Sequence, residues 1–243
     1  MCWNKEVSLT TFALAIAGVI YLYQRNGIND RWIAIFATVI AMIQLSEYFM
    51  WSDLACGFIN EYASIFALLT LMFEPLANMI GGIYFSNTPH KNILKYMSII
   101  YAIFIGFTYF TEIYGRDIYW CGTSSCVESN KINGFVNDKS CNLQWFFTKN
   151  ISSKIDTVWI FFLIVPLLTM NPLIQGIILS ALGFISLFIA SIINNAAIGS
   201  LWCWLAIIII YVKILFNYLL FPFLYMQRMF YNFHIGFIIN KHE

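Results

Sequence analysis

The sequence predicts an all-α integral membrane protein: a seven-helix bundle, N-terminus outside, with a disulfide-linked extracytoplasmic loop. Three observations carry this. Hydrophobic residues make up 60% of the chain and charged residues only 10%, where a soluble domain carries about 25% charge. Apolar runs recur at the length that crosses a bilayer, about 20 helical residues for roughly 30 Å of hydrocarbon. A single long polar segment, 111–153, interrupts them and holds three of the six cysteines. Mean hydropathy is +0.75, so the lipid bilayer is the expected partner. A net charge of +1, with no cluster of Lys and Arg, excludes nucleic acid, because phosphate neutralisation needs such a cluster.

The first span is 7–23. Lys5 and Glu6 cancel before it, and Arg25 and Arg31 follow it. That order is the reverse of a signal peptide's basic start, so Ala15-Ile-Ala17 is not read as a cleavage site. The second span is 32–51, the third 62–85, and the fourth 93–110. Spans 155–170 and 173–193 are joined by Asn171-Pro172; the former is short and contains Pro166, so it crosses at a tilt or re-enters. The seventh is 198–219, stopped around Pro222. The transmembrane domain is thus 1–222. In 223–243, Met226, Met229, Phe230, Phe233 and Phe237 recur at helical spacing, as in an amphipathic helix lying in the cytoplasmic interface. In short loops Arg25, Arg31, Lys91 and Lys95 fall on one side and Lys5 on the other, which makes the arginine-bearing side cytoplasmic.

This topology, assigned without the cysteines, puts all six at or near the outer face: Cys2, Cys56, Cys121, Cys126, Cys141 and Cys203. An even number of thiols in an oxidising lumen suggests disulfides, among 15 connectivities that sequence does not separate. The preferred expectation ties Cys56 to a cysteine of the long loop, with Cys2 to Cys203 as a weaker one. Zinc is disfavoured because His90, His234 and His242 fall on the opposite side. Asn150-Ile-Ser152 matches the N-glycosylation pattern but sits close to the next membrane entry.

The polar residues inside the spans are the candidate ligand-binding site. Glu74 lies at the midpoint of the third span, where an isolated charge costs several kcal/mol. Lys213 is the basic residue near the middle of another span. Gln44, Glu47 and Trp51 share one helix face by their spacing, as do Glu74 with Asn78 and Lys213 with Asn217. Pairing Glu74 with Lys213 lowers the cost of both. Pro75 removes a backbone donor and frees a carbonyl one turn earlier. Two function classes follow. In one, a small ligand or ion is bound or passed at Gln44, Glu47, Glu74, Asn78, Lys213 and Asn217. In the other, the protein is structural, its outer loop contacts a partner, and the cluster serves packing.

A lysine in a seventh helix and a carboxylate in the third resemble the Schiff-base lysine and counterion of rhodopsins, which implies retinal on Lys213 as a minor alternative; otherwise no cofactor or metal is expected. Ile209 stands where those families carry an acid or a small polar residue, and 173–193 lacks the Trp and Tyr that sandwich a retinal. No His-x-x-x-His or Gly-x-Ser-x-Gly pattern falls in a span, so the reading leans away from an enzyme. Association into a homo-oligomer stays open.

Met1-Cys2-Trp3 at the start, with Gln44 and Glu47 in Met42-Ile-Gln-Leu-Ser-Glu47, resembles a family of multi-pass membrane proteins of no established activity found in giant DNA viruses, protists and bacteria. The resemblance covers chiefly the first 50 residues. It implies roles for Cys2, Trp3, Gln44 and Glu47 beyond packing and, for a viral member, a host-cell or virion membrane.

Overall fold

The computed structural model describes residues 4–127, 140–148, 153–194 and 197–215. Two compact units divide the chain, Met1–Ile210 and Tyr211–Glu243. The first holds α1 (Lys5–Arg25), α2 (Asp30–Ser52), α3 (Phe58–Phe85), α4 (Lys91–Thr108), β1 (Gly122–Val127), β2 (Ser140–Trp145), α5 (Ser153–Ile164), α6 (Leu173–Ile193) and α7 (Ile198–Ala206). The described part of the second, 211–215, is helical. Six helices among the described residues are long and apolar enough to cross a membrane. The tail 223–243, Asn217, Cys2 and Asn150 lie outside the described residues, as does the expected link from Cys2 to Cys203.

Local chemistry sets the helix ends. Asn4 caps α1, its Oδ1 accepting from Val7 N–H at 2.8 Å. Asn26, with φ 50°, closes the helix through its N–H to the Leu22 carbonyl, and Asn29 has φ 59°; Asn tolerates this left-handed region better than most residues. Two helices pack along one stripe each. In α4 the buried residues Leu94, Tyr101 and Thr108 fall seven apart. In α1, Ser8, Ala15 and Leu22 do the same. Much of the rest of their surface is apolar and exposed, as is much of α3 and α6: Ile103 is 69% exposed, Phe188 66% and Phe73 55%. Apolar surface facing outward from so many elements is what a lipid surround favours.

The segment 155–170 is built differently from the other spans. Its α-helix ends at Ile164 and Val165–Thr169 is a 3-10 turn. At about 1.5 Å per α-helical and about 2.0 Å per 3-10 residue, 153–169 extends about 28 Å. The tighter winding lengthens a stretch that is too short as a plain α-helix. Its far end reaches the start of α4, where Thr88 Oγ1 donates to the Thr169 carbonyl. Gly176 of α6 lies against this turn so closely that a Cβ would stand 1.9 Å from the Leu167 carbonyl oxygen. Only glycine fits there.

The polar segment read as an outer loop is not all loop. It contains the antiparallel β1–β2 hairpin, the part of the chain that an all-α reading misses. Leu143 and Phe147 are buried with Ile43 and Met50 of α2 and Ala67 of α3. Trp145 stacks on Phe147 at 5.8 Å and 16°. The hairpin therefore packs over the α2–α3 end of the bundle. Two devices fix it there. Cys56 is disulfide-bonded to Cys121, with Cα atoms 5.5 Å apart, in agreement with the expectation for Cys56. Asn60 of α3 holds the same junction: Nδ2 donates to the carbonyls of Met50, Asp53 and Gly122, and Oδ1 accepts from Gly122 N–H at 2.8 Å. Gly122 touches Met50, and a Cβ there would meet its Sδ at 2.6 Å.

These close approaches predict a contrast between two glycines. Gly176→Ala should cost about 1–3 kcal/mol through overpacking and lower the thermal unfolding temperature in detergent. Gly106→Ala, whose Cβ would meet nothing within 4 Å, should leave that temperature unchanged or slightly raised. Equal behaviour of the two variants would contradict the packing described.

Candidate functional site

In the middle of α3, Pro75 has no N–H to give the Leu71 carbonyl, its helical partner four residues back. In an apolar interior an unmet carbonyl costs about 1–3 kcal/mol. Trp159 of α5 supplies the missing donor, its Nε1 reaching the Leu71 oxygen at 2.8 Å. One residue on, the hydroxyl of the buried Tyr101 donates to the Met72 carbonyl at 3.1 Å. Pro75 thereby draws α5 onto α3, and Tyr101 ties α4 to α3 beside it.

A matching arrangement occurs in α5. Under 3-10 winding the donor to the Leu163 carbonyl would be residue 166, and Pro166 has none. Asn78 fills the gap: its Nδ2 donates to the Leu163 oxygen at 2.7 Å, while its Oδ1 accepts from the Nε1 of the fully buried Trp32 at 2.7 Å. Asn78 thus joins α2, α3 and α5.

Gln44 and Glu47 are wholly buried in α2, with Gln44 Nε2 donating to Glu47 Oε2 at 3.0 Å. Glu74 is buried, and its Oε1 has no hydrogen-bond partner among the described residues. Tyr101 lies close enough to Glu74 for the two to interact electrostatically. Lys213 belongs to the second unit, Tyr211–Glu243, so its expected pairing with Glu74 remains an expectation. Asn217 and Cys2 lie outside the described residues; Cys203 is buried in α7.

Beside this cluster is a cavity of about 660 Å³, to which sequence reasoning did not point. Residues from α3, α4, α5, α6, α7 and the hairpin line it. None of Gln44, Glu47, Glu74 or Asn78 does, although Tyr101 and Leu71 belong to both regions. The lining is ordered along its length. Thr108 ends α4, Asp156 is in the first turn of α5, Ser191 in the last turn of α6 and Ser200 in the first turn of α7, so all four belong to the hairpin end. Farther in, Leu71, Met72, Phe104, Trp159 and Ile160 make it apolar. Asp156 is the ionisable carboxylate among these residues, and it is exposed at the rim.

A second polar cluster, at the opposite end of the bundle, was equally unforeseen. Arg25 Nε and Nη2 meet the two oxygens of buried Asp30 at 2.7 and 2.9 Å. Asn29 Nδ2 donates to Gln175 Oε1 at 2.8 Å and to the Asn171 carbonyl at 3.1 Å. These contacts lock the α1–α2 connection onto the start of α6. The one signal for them in the sequence is an acid five residues after an arginine between two apolar runs. Among the described residues, no three His, Cys, Asp or Glu side chains group as a metal site would require. Comparison with protein families, with curated proteins and with solved structures finds no match.

The Trp159–Leu71 bond predicts non-additivity. Trp159→Phe strands the Leu71 carbonyl and should destabilise the wild-type protein by about 1–2 kcal/mol. In a Pro75→Ala background, where residue 75 again offers an N–H, the same change should cost clearly less. Unfolding in detergent, run as a double-mutant cycle, measures the difference; a purely additive result would disprove the exchange of donors.

Proposed function

We propose that the chain is a multi-pass membrane protein that binds one amphipathic small molecule, a lipid or lipid-like amine, in the cavity under the hairpin. The observation that carries this reading is the polarity gradient of the cavity. Hydroxyls and the Asp156 carboxylate occur at the hairpin end, and an apolar lining lies deeper. A head group with donors or a positive charge suits the first part and a hydrocarbon tail the second. The expectation of small-ligand binding is kept, and its place moves from the polar cluster to the neighbouring cavity.

Membrane insertion is supported by the six apolar helices, and 153–169, at about 28 Å, serves as a seventh crossing. Arg25, Arg31 and Lys91 lie at the end opposite the hairpin, which favours that end in the cytoplasm. The Cys56–Cys121 disulfide favours an oxidising compartment at the hairpin end. The cavity then opens toward the outer leaflet.

A second reading, passage of a proton or cation through the Glu47/Glu74 region, is favoured by the unmet Glu74 Oε1. Flux in proteoliposomes decides it. That reading requires Glu74→Gln to abolish a flux the wild type supports, and equal flux from both proteins removes it.

For the cavity, the probe is a long-chain primary amine, counted on the detergent-solubilised protein by native mass spectrometry. The wild type should retain one copy saturably, and Leu187→Trp, which narrows the cavity, should retain clearly less. Asp156→Asn should weaken the amine by up to about fivefold, the range of an exposed ion pair, and leave the corresponding alcohol unaffected. Equal retention by wild type and Leu187→Trp would rule out this cavity as the binding place.

A further inference from the structure

The backbone of the hairpin says more about the cysteines than their spacing does. The strands pair antiparallel, with Gly122 opposite Trp145 and Cys126 opposite Cys141. Opposed residues in such a ladder alternate between pairs that exchange backbone hydrogen bonds and pairs that do not. In the non-bonded pairs the backbones come closer, with Cα atoms about 4.5 Å apart.

Contacts at the base of the hairpin settle which pairs are which. Phe146 N–H donates to the Cys121 carbonyl at 2.9 Å, so position 121 is of the bonded kind. At the next position, Gly122 gives its N–H to Asn60 Oδ1 and takes Asn60 Nδ2 on its carbonyl, both at 2.8 Å. Its N–H is thus taken by Asn60, and by the alternation from position 121 Gly122–Trp145 is non-bonded. The alternation carried up the strand makes Ser124–Leu143 and Cys126–Cys141 non-bonded as well. An approach of about 4.5 Å lies inside the roughly 4.4–6.8 Å that a disulfide spans between Cα atoms. It is also the register position at which Cβ atoms on facing strands come closest.

A second observation concerns chemistry. Cys121, five residues before Cys126 on the same segment, is already oxidised with Cys56. This end of the protein therefore meets conditions under which thiols pair.

We propose that Cys126 and Cys141 form a second disulfide, stapling β1 to β2 and closing residues 127–140 into a loop. The bond arises by exchange with a disulfide donor of the oxidising compartment. One cysteine thiolate attacks the donor's sulfur and makes a mixed disulfide; the other thiolate then displaces the donor. The donor's S–S bond breaks as the mixed disulfide forms, and the Sγ–Sγ bond forms as the mixed disulfide breaks. Two electrons and two protons leave the cysteine pair, and the donor departs as a dithiol. Together with Cys56–Cys121, this clamps the hairpin at its base and across its strands.

The test uses the full chain, extracted without reductant, alkylated while denatured, digested with trypsin and mapped by mass spectrometry. Cleavage at Arg116, Lys131, Lys139 and Lys149 isolates 117–131 from 140–149. The expected species joins 140–149 to 117–131, which also carries the Cys56 peptide, and electron-transfer fragmentation between residues 121 and 126 places the 140–149 link on Cys126. Alkylated Cys126 and Cys141 would overturn the proposal, as would Cys141 joined to Cys121 or to any other cysteine.

Discussion

The fold depends on meeting the needs of two carbonyls that their own helices abandon. Pro75 and Pro166 each lack a donor, and in a dry interior the oxygens of Leu71 and Leu163 cannot turn to solvent. Trp159 and Asn78 reach them from neighbouring elements, at 2.8 and 2.7 Å. Both bonds couple α3 to α5, and Asn78 adds α2 through Trp32. In the proposed bilayer setting net association between apolar helices is weak, since hydrocarbon outside competes with hydrocarbon inside, and directional bonds to stranded backbone groups then help to set which helices meet. The same proline that shortens the α-helical part of α5 passes the chain into the extended 3-10 turn on which α6 sits.

The candidate cavity follows from that arrangement. With α5 held to α3 through one face, Trp159 and Ile160 line a hollow that α4, α6 and α7 do not fill. The polar residues at its mouth, Thr108, Asp156, Ser191 and Ser200, all stand in terminal turns of their helices. A gradient from polar to apolar results from where each helix stops.

Hydropathy alone located the long helices well, because runs such as 173–193 are bounded by proline and asparagine. The link of Cys56 to the long segment was also readable, since charge-based topology put those sulfurs at one end. Other features were hidden for definite reasons. Asn60 stands two residues before the apolar run 62–85 begins, so a reading by hydropathy leaves it in a loop, whereas the helix starts at Phe58. Asn29 and Asp30 look like ordinary turn residues; Asn29 meets Gln175 and Asn171, far away in sequence, and Asp30 is bonded by Arg25. The hairpin strands Gly-Thr-Ser-Ser-Cys-Val and Ser-Cys-Asn-Leu-Gln-Trp carry too few β-branched residues to stand out. A cavity is written in no single segment, because it is what several surfaces fail to fill together. The freed carbonyl beside Pro75 was foreseen, but Trp159 as its partner was not.

One consequence comes from the placement of Asn60. This residue grips the hairpin at one end of α3, and Glu74, Pro75 and Asn78 lie farther along the same continuous helix. A force applied to the hairpin enters a stiff rod rather than a hinge.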